Sequence, residues 1–142
     1  MPTLSDSIAA SASALAAERT RIEAAISNLA NAESTRGPDG GPYRRRSVLL
    51  ASDPVNGFDA AIDRASAVGV RVAGVVEDQA PFQQRYQPSH PDADASGFVA
   101  MPNVNPSEEV VDMMSAARAY QANLAAIGLV RDLVRQALDL AR

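Results

Sequence analysis

Cysteine and tryptophan are both absent from this 142-residue chain, and it holds only three phenylalanines, three tyrosines and one histidine. Without cysteine there is neither a disulfide nor a thiolate-ligated metal, and the redox state of the compartment leaves the chain untouched. With His90 as the single histidine, a zinc cluster of histidines is excluded and a Ser-His-Asp triad would have no choice of base. So few aromatics mean that any core must be assembled from Ala, Val, Leu, Ile and Met, which suits close helix packing. Positive charge is also scarce: the net charge of -4 argues against nucleic-acid binding, which needs a basic surface to displace counterions. No stretch approaches the ~20 apolar residues of a membrane span, so direct membrane insertion is not expected. Residues Met1 to Ser7 lack the basic and apolar regions of a cleaved secretory signal, which predicts a soluble chain that leaves the cytoplasm, if at all, without one.

What is present is helical at both ends. The length suits one ordinary domain rather than the two lobes of a cofactor enzyme. From Leu4 to Ala32 there is no proline or glycine, alanine dominates, and Ile8, Leu15, Ile22 and Leu29 recur every seven positions with Ile26 beside them. A stripe that repeats at seven describes a coiled-coil seam more than the wide buried face of a globular helix, and it needs a partner. The last segment opens with Asn105-Pro106-Ser107-Glu108, in which Asn105 can cap, Pro106 suits the first helical position and Glu108 can reach back to the cap. Val110, Met113, Ala117, Tyr120, Leu124, Ile127, Val134, Leu138 and Ala141 then follow steps of three and four, interrupted by Arg131. At 1.5 Å per residue this helix would reach roughly 50 Å, too long for a lone small domain to cover. Leu129, Val130 and Leu133 widen its apolar face toward the end.

Residues 36–104 differ in character. Gly37-Pro38-Asp39-Gly40-Gly41-Pro42 breaks any helix, and it lacks the lysine and the strand-to-helix setting of a phosphate-binding loop. Short β-branched runs follow at Val48 to Leu50, Val70 to Val76 and Phe82 to Tyr86, before Met101-Pro102-Asn103-Val104 leads into the second helix. The expected fold is α+β: residues 1–35 and 105–142 form one discontinuous helical domain, its two helices pairing as a coiled-coil-like unit, with a small β-rich domain of residues 36–104 inserted between them.

Candidate chemistry is thin. Asp92-Ala93-Asp94-Ala95-Ser96-Gly97 opens like a calcium loop of the EF-hand type, but its twelfth place is Asn103 rather than a bidentate Glu, and prolines crowd its flanks, so a polar turn is the expectation. His90 is accounted for by the turn Pro88-Ser89-His90-Pro91-Asp92. Glu108, Glu109 and Asp112 stand where carboxylates stabilise a helix N-terminus. Arg44-Arg45-Arg46 is the one basic run, and it suits a solvated strand end or a contact between subunits. Neither a catalytic residue nor a cofactor or metal site is assigned. The working groups are the seams: Ile8, Leu15, Ile22 and Leu29 on the first helix, and Met113, Tyr120, Leu124, Ile127, Val134 and Leu138 on the last.

Ser27-Asn28-Leu29-Ala30-Asn31-Ala32-Glu33-Ser34-Thr35 resembles the amino-terminal motif of the axial proteins of the bacterial flagellum, the rod, hook and hook-filament junction proteins. Pro42 to Arg46, Val70 to Asp78, the run His90-Pro91-Asp92-Ala93-Asp94, Asn103-Val104-Asn105 and Glu108 to Met113 are similar to one rod branch of that family, and Ser115 to Asn123 is similar to its terminal motif. The resemblance covers nearly the whole chain. It implies a structural subunit of the proximal rod, exported by the flagellum-specific type III apparatus and assembled in the periplasm into a tubular drive shaft around the export channel. It further implies contacts with copies of itself, other rod proteins, and export and base components of the basal body. A soluble helical adaptor or export chaperone is the alternative that the seams alone leave open, beside a calcium-dependent module or enzyme centred on His90, Asp92 and Asp94.

Overall fold

The computed structural model describes residues 3–37, 40–54 and 68–140. Pro38, Asp39 and Ala141, which figure in the sequence patterns above, lie outside the described residues. The order of elements is α1 (Leu4–Ala30), β1 (Arg46–Pro54), β2 (Val68–Glu77), β3 (Gln83–Tyr86), β4 (Phe98–Met101) and α2 (Pro106–Leu140). The α+β class is as the sequence predicts, with two long terminal helices and short antiparallel strands between them.

Both helices are started by side-chain caps, and α1 is closed by one as well. Thr3 caps α1 reciprocally: its hydroxyl accepts the Asp6 N–H at 3.2 Å while the Asp6 carboxylate accepts the Thr3 N–H at 2.8 Å. At the other end the Asn31 backbone N–H donates to the Ser27 carbonyl at 3.1 Å, and the Asn31 side chain donates to the same carbonyl at 2.8 Å. Asn105 caps α2 through the Ser107 N–H at 3.1 Å. Glu108 does reach back to this cap, but it takes the Asn105 side-chain amide at 2.9 Å.

The helices lie side by side and antiparallel, since Asn28 at the end of α1 meets Glu109 at the start of α2, and Leu15 and Arg19 share a groove with Tyr120. Their line of closest approach is made of alanine: Ala17, Ala25 and Ala116 are buried, and Ala116 is wholly inaccessible. Small side chains let the backbones approach, which displaces the larger residues to the flanks of the contact.

The hairpin β1–β2 packs against α1, where the Ser13 hydroxyl accepts the Val70 N–H at 3.0 Å. Its ladder runs from Arg46 opposite Glu77 and slips once, because Leu49 pairs with Gly74 and Leu50 with Val72; Ala73 is the extra residue of a bulge. A second small sheet pairs β3 with β4, from Gln83 opposite Met101 to Tyr86 opposite Phe98. The β-branched pattern does not predict β4. Its four residues run straight into Pro102, and they resemble a helix lead-in more than a strand. Val99, Met101, Pro102 and Val104 are buried there and supply most of the larger apolar core.

The turn between β3 and β4 needs glycine at one place. Gly97 has φ +81°, and a Cβ on it would stand 2.9 Å from the Tyr86 ring and 3.2 Å from Pro88. Gly97→Ala is therefore expected to lower stability by roughly 1–3 kcal/mol in urea denaturation, because both the left-handed backbone and the close ring resist a side chain. A neutral result would mean that Tyr86 and Pro88 move aside freely.

Candidate functional site

Two features stand out: a polar junction where α1, β1 and α2 converge, and an apolar surface along α2. The junction is built on Asn28 and Glu109, which are 1% and 2% exposed. The Asn28 amide nitrogen donates to the Glu109 carboxylate and to the Arg46 carbonyl, both at 2.9 Å. Its oxygen accepts the Arg46 N–H at 2.8 Å and the Tyr43 hydroxyl at 2.9 Å. All four hydrogen-bonding positions of the amide are thus filled.

The other Glu109 oxygen accepts Arg45 Nε at 2.5 Å, and Arg45 also reaches Asp112 at 3.1 Å and the Ser47 hydroxyl at 3.0 Å. Burial opposes the Arg45 charge, but Glu109 and then Asp112 outweigh it and hold the guanidinium pKa above its ordinary value. Asn103, read above as the twelfth place of the calcium-like loop and as part of a family motif, closes the junction from behind. Its oxygen accepts the Arg45 N–H at 2.9 Å and its nitrogen donates to the Asp78 carbonyl at 3.1 Å.

Glu109 stands in the first turn of α2 as the sequence expects, and its carboxylate is in addition the buried partner of Arg45 and Asn28. The inward stripe of α2 accordingly begins at Glu109 rather than at Val110, which is exposed. The basic run, expected as a solvated strand end or a contact between subunits, is spent largely within the chain. Arg45 holds the junction, Arg44 lies over the Phe82 ring at 4.3 Å and donates to the Asp78 carbonyl, and Arg46 is 3.6 Å from Glu77. Spacing alone did not single out Glu109, since Glu109 and Val110 stand four and three residues before Met113 and both fit its stripe. Tyr43 carried no comparable signal.

The seam residues divide into two sets. Ile8, Leu15, Ile22, Leu29, Met113, Tyr120 and Ile127 are half-buried along the helix pair, whereas Leu124, Val134 and Leu138 are exposed. Leu129, Leu133 and Leu140 add to that exposed set, with Leu140 89% accessible. Of the motif residues, Ala30 and Pro91 are exposed, and Asn31 and Asn105 are helix caps.

Thr35, His90, Asp92 and Asp94 shape the loops around the second sheet. Thr35 donates to Asp92 at 2.8 Å, Arg36 pairs with the same carboxylate, and His90 Nδ1 accepts the Asp92 N–H at 3.1 Å. Asp94 accepts the N–H groups of Ser96 and Phe98 at 2.8 and 2.9 Å. The two carboxylates of the calcium-like sequence are thus each turned to protein donors. Among the described residues no three His, Cys, Asp or Glu side chains cluster closely enough to hold a metal. A cleft of about 200 Å³ beside the junction is lined by Arg21, Asn28, Arg45 and Glu109. It is smaller than the usual ligand pocket, and its polar walls are already paired. No described helix is long and apolar enough to cross a membrane.

Long helices at either end of short antiparallel strands, with an exposed apolar surface on the last helix, are the geometry that the comparisons with known proteins meet. Residues 95–140 match the family described as flagellar basal body rod FlgEFG protein C-terminal. Over 92% of both chains the protein is 46% identical to the flagellar basal-body rod protein FlgC of Salmonella typhimurium. It is 40% identical to FlgC of Borreliella burgdorferi and 36% to FlgC of Bacillus subtilis, each over 96% of this chain and 97% of the relative. The chain belongs to the FlgC family of flagellar basal-body rod proteins.

Glu109→Ala would leave Arg45 and Asn28 facing a void. It is expected to cost about 3–5 kcal/mol, toward the lower end because Arg45 keeps some contact with water. Asn28→Ala in the same background should then cost much less than it does alone, and simple additivity in that cycle would show that the two side chains are not coupled. A second expectation concerns acid. The Thr35 hydroxyl, then Arg36, hold the Asp92 carboxyl below the usual carboxylate range against the opposing effect of burial. Its contribution is therefore full above the ordinary Asp pKa of about 4 and is lost as pH falls through the lowered folded value. Asp92→Asn should flatten the acid limb of the stability curve below about pH 4; an unchanged limb would show that Asp92 does not contribute there.

Proposed function

We propose that this chain is a structural subunit of the proximal rod in the flagellar basal body and that it joins its neighbours through the apolar faces of its terminal helices. The observation that carries this reading is the uncovered end of α2. Counting equal lengths back from Asn28 to Leu4 and forward from Glu109 ends at Leu133, so the last turns of α2 outrun α1. Val134, Leu138 and Leu140 lie in or beyond these turns, with Leu129 and Leu133 just before them. An apolar surface this continuous on an antiparallel helix pair calls for burial by another chain.

The seams to be completed on assembly are Ile8, Leu15, Ile22 and Leu29 on α1 and Met113, Tyr120, Leu124, Ile127, Val134 and Leu138 on α2. Residues 1–35 and 105–142 act as the discontinuous helical domain of the shaft, in coiled-coil-like pairing, and residues 36–104 as the outer β-rich insert. Leu49, Leu50, Val75 and Val76 of the hairpin are also exposed and extend the apolar surface onto that insert. The partners are copies of this chain, other rod proteins, and base and export components. The chain reaches the periplasmic rod through the flagellar export apparatus without a cleaved signal, and there it transmits torque and helps enclose the channel. The role is structural, with no catalytic step or cofactor assigned.

The test replaces Leu133 and Leu138 by aspartate in a strain that lacks its own copy. The isolated variant should melt as the parent does, since both side chains are exposed, yet it should be missing from purified basal bodies, and the cells should not swim. Normal incorporation and swimming would refute the assignment of the α2 end to assembly.

A further inference from the structure

We propose that the outer edge of β1 is a pairing surface for a second copy of this chain, the two β1 strands joining antiparallel about a two-fold axis at Leu50. The pairing is a property of the isolated chain and does not rest on the rod reading above.

Which backbone groups of β1 point outward is fixed at both ends of the hairpin. The Arg45 carbonyl accepts the Asp78 N–H at 2.8 Å, so it is turned toward the β2 side. Arg46 turns the other way and gives both its N–H and its carbonyl to Asn28. Backbone groups alternate along a strand, so Val48, Leu50 and Ser52 share the outward phase of Arg46. The far end agrees, because Val70, opposite Ser52, sends its N–H away from β1 to the Ser13 hydroxyl at 3.0 Å. Among the described residues no hydrogen bond reaches the outward groups of Val48, Leu50 and Ser52.

The two edges of the hairpin are unlike. β2 is blunted by the bulge at Ala73, by Arg71 and by Gly74, whereas β1 from Ser47 to Ser52 holds no charge, proline or glycine. Leu49 and Leu50 are also exposed. A bare edge of this composition is a template for another strand.

What makes that strand a copy of β1 is where the free stretch stops. Asn28 occupies the groups of Arg46 at one end, and Pro54 has no N–H at the other. The free residues between these stops are centred on Leu50. An antiparallel copy about that centre sets Leu50 against Leu50 and Val48 against Ser52, each pair exchanging two hydrogen bonds, and places the occupied Arg46 against the proline. With the axis at Leu49, Ser52 would fall against Arg46 and lose its partner; with the axis at Ala51, Val48 would fall against Pro54. Charge favours the same register. Asp53, exposed and in no ion pair among the described residues, comes opposite Ser47 of the second copy, whose hydroxyl accepts from Arg45 at 3.0 Å. Arg21 lines the same cleft.

The experiment weighs the full chain by light scattering over a range of concentrations. Every variant carries Leu133→Asp and Leu138→Asp, so that the end of α2 does not associate. This background should rise to twice the monomer mass and stop there, because a two-fold contact closes on itself. Leu50→Lys and Leu50→Glu each set like charges against each other at the axis, and each alone should stay at the monomer mass. Mixed, they should recover the doubled mass.

The absence of cysteine supplies a second reading. Residues paired at the axis have Cα atoms about 5.5 Å apart, within reach of a disulfide. Leu50→Cys should therefore cross-link to itself under mild oxidation, whereas Leu49→Cys, offset from its own copy, should not. A background that stays monomeric at every concentration would overturn the proposal, as would doubled mass in either charged variant alone or a mixture that fails to pair. If a charged variant unfolds, the cysteine pair decides: cross-linking at Leu49 rather than Leu50, or at neither, would overturn the two-fold at Leu50.

Discussion

The meeting of α1, β1 and α2 depends on how a single buried carboxylate is satisfied. Glu109 lies 64 residues from Arg45 and 81 from Asn28 in sequence, yet one oxygen is given to each. The arrangement is unforgiving in sign: complete, it stabilises modestly, and with any member missing it leaves a charge or an amide buried without a partner. The first turn of α2 can be native only when the end of α1 and the start of β1 are already beside it. Elements that are weak alone are thereby made to form together. That matters for a two-stranded hairpin and an alanine-lined helix pair, neither of which buries enough apolar surface to stand by itself.

The long elements were legible from the amino acids because their signals are local. An uninterrupted run without Pro or Gly and a seven-residue repeat define α1, and Asn105-Pro106 defines the start of α2 at the observed residue. The β-branched runs located three of the four strands for the same reason. The β3–β4 loop was likewise legible as a polar turn, and Asp94 shows why, since it binds backbone amides two and four residues ahead. The family motifs in the sequence point to the same family as the full-length likeness to known rod proteins.

What was not legible is relational. Whether Glu109 or Val110 faces inward depends on where Asn28 ends up, and no periodicity in one helix contains the other helix. A glutamate in a first turn is explained so readily by the helix dipole that nothing in the sequence asks for a second explanation. Similarly, the stripe Ile8, Leu15, Ile22 and Leu29 is half-buried along the helix pair, but the closest contact runs through Ala17 and Ala25. The large residues draw the eye and the small ones make the approach. β4 was hidden because Phe98 and Val99 are only two strand-favouring residues, too short a run to stand out between a polar turn and Pro102.

The bond between Asn28 and Arg46 has a mechanical side. A carboxamide carries the same donor and acceptor as a peptide group, and here it grips both the N–H and the C=O of one strand residue, so α1 supplies a single rung to the edge of the hairpin. Two parallel bonds to one strand residue share a pull directed along the strand, whereas bonds in series would fail one after another. A twisting load that arrives at the hairpin therefore enters the helical pair as shear across a closed ring of hydrogen bonds, at the one point where the strand, both helices and their longest-range ion pair are joined.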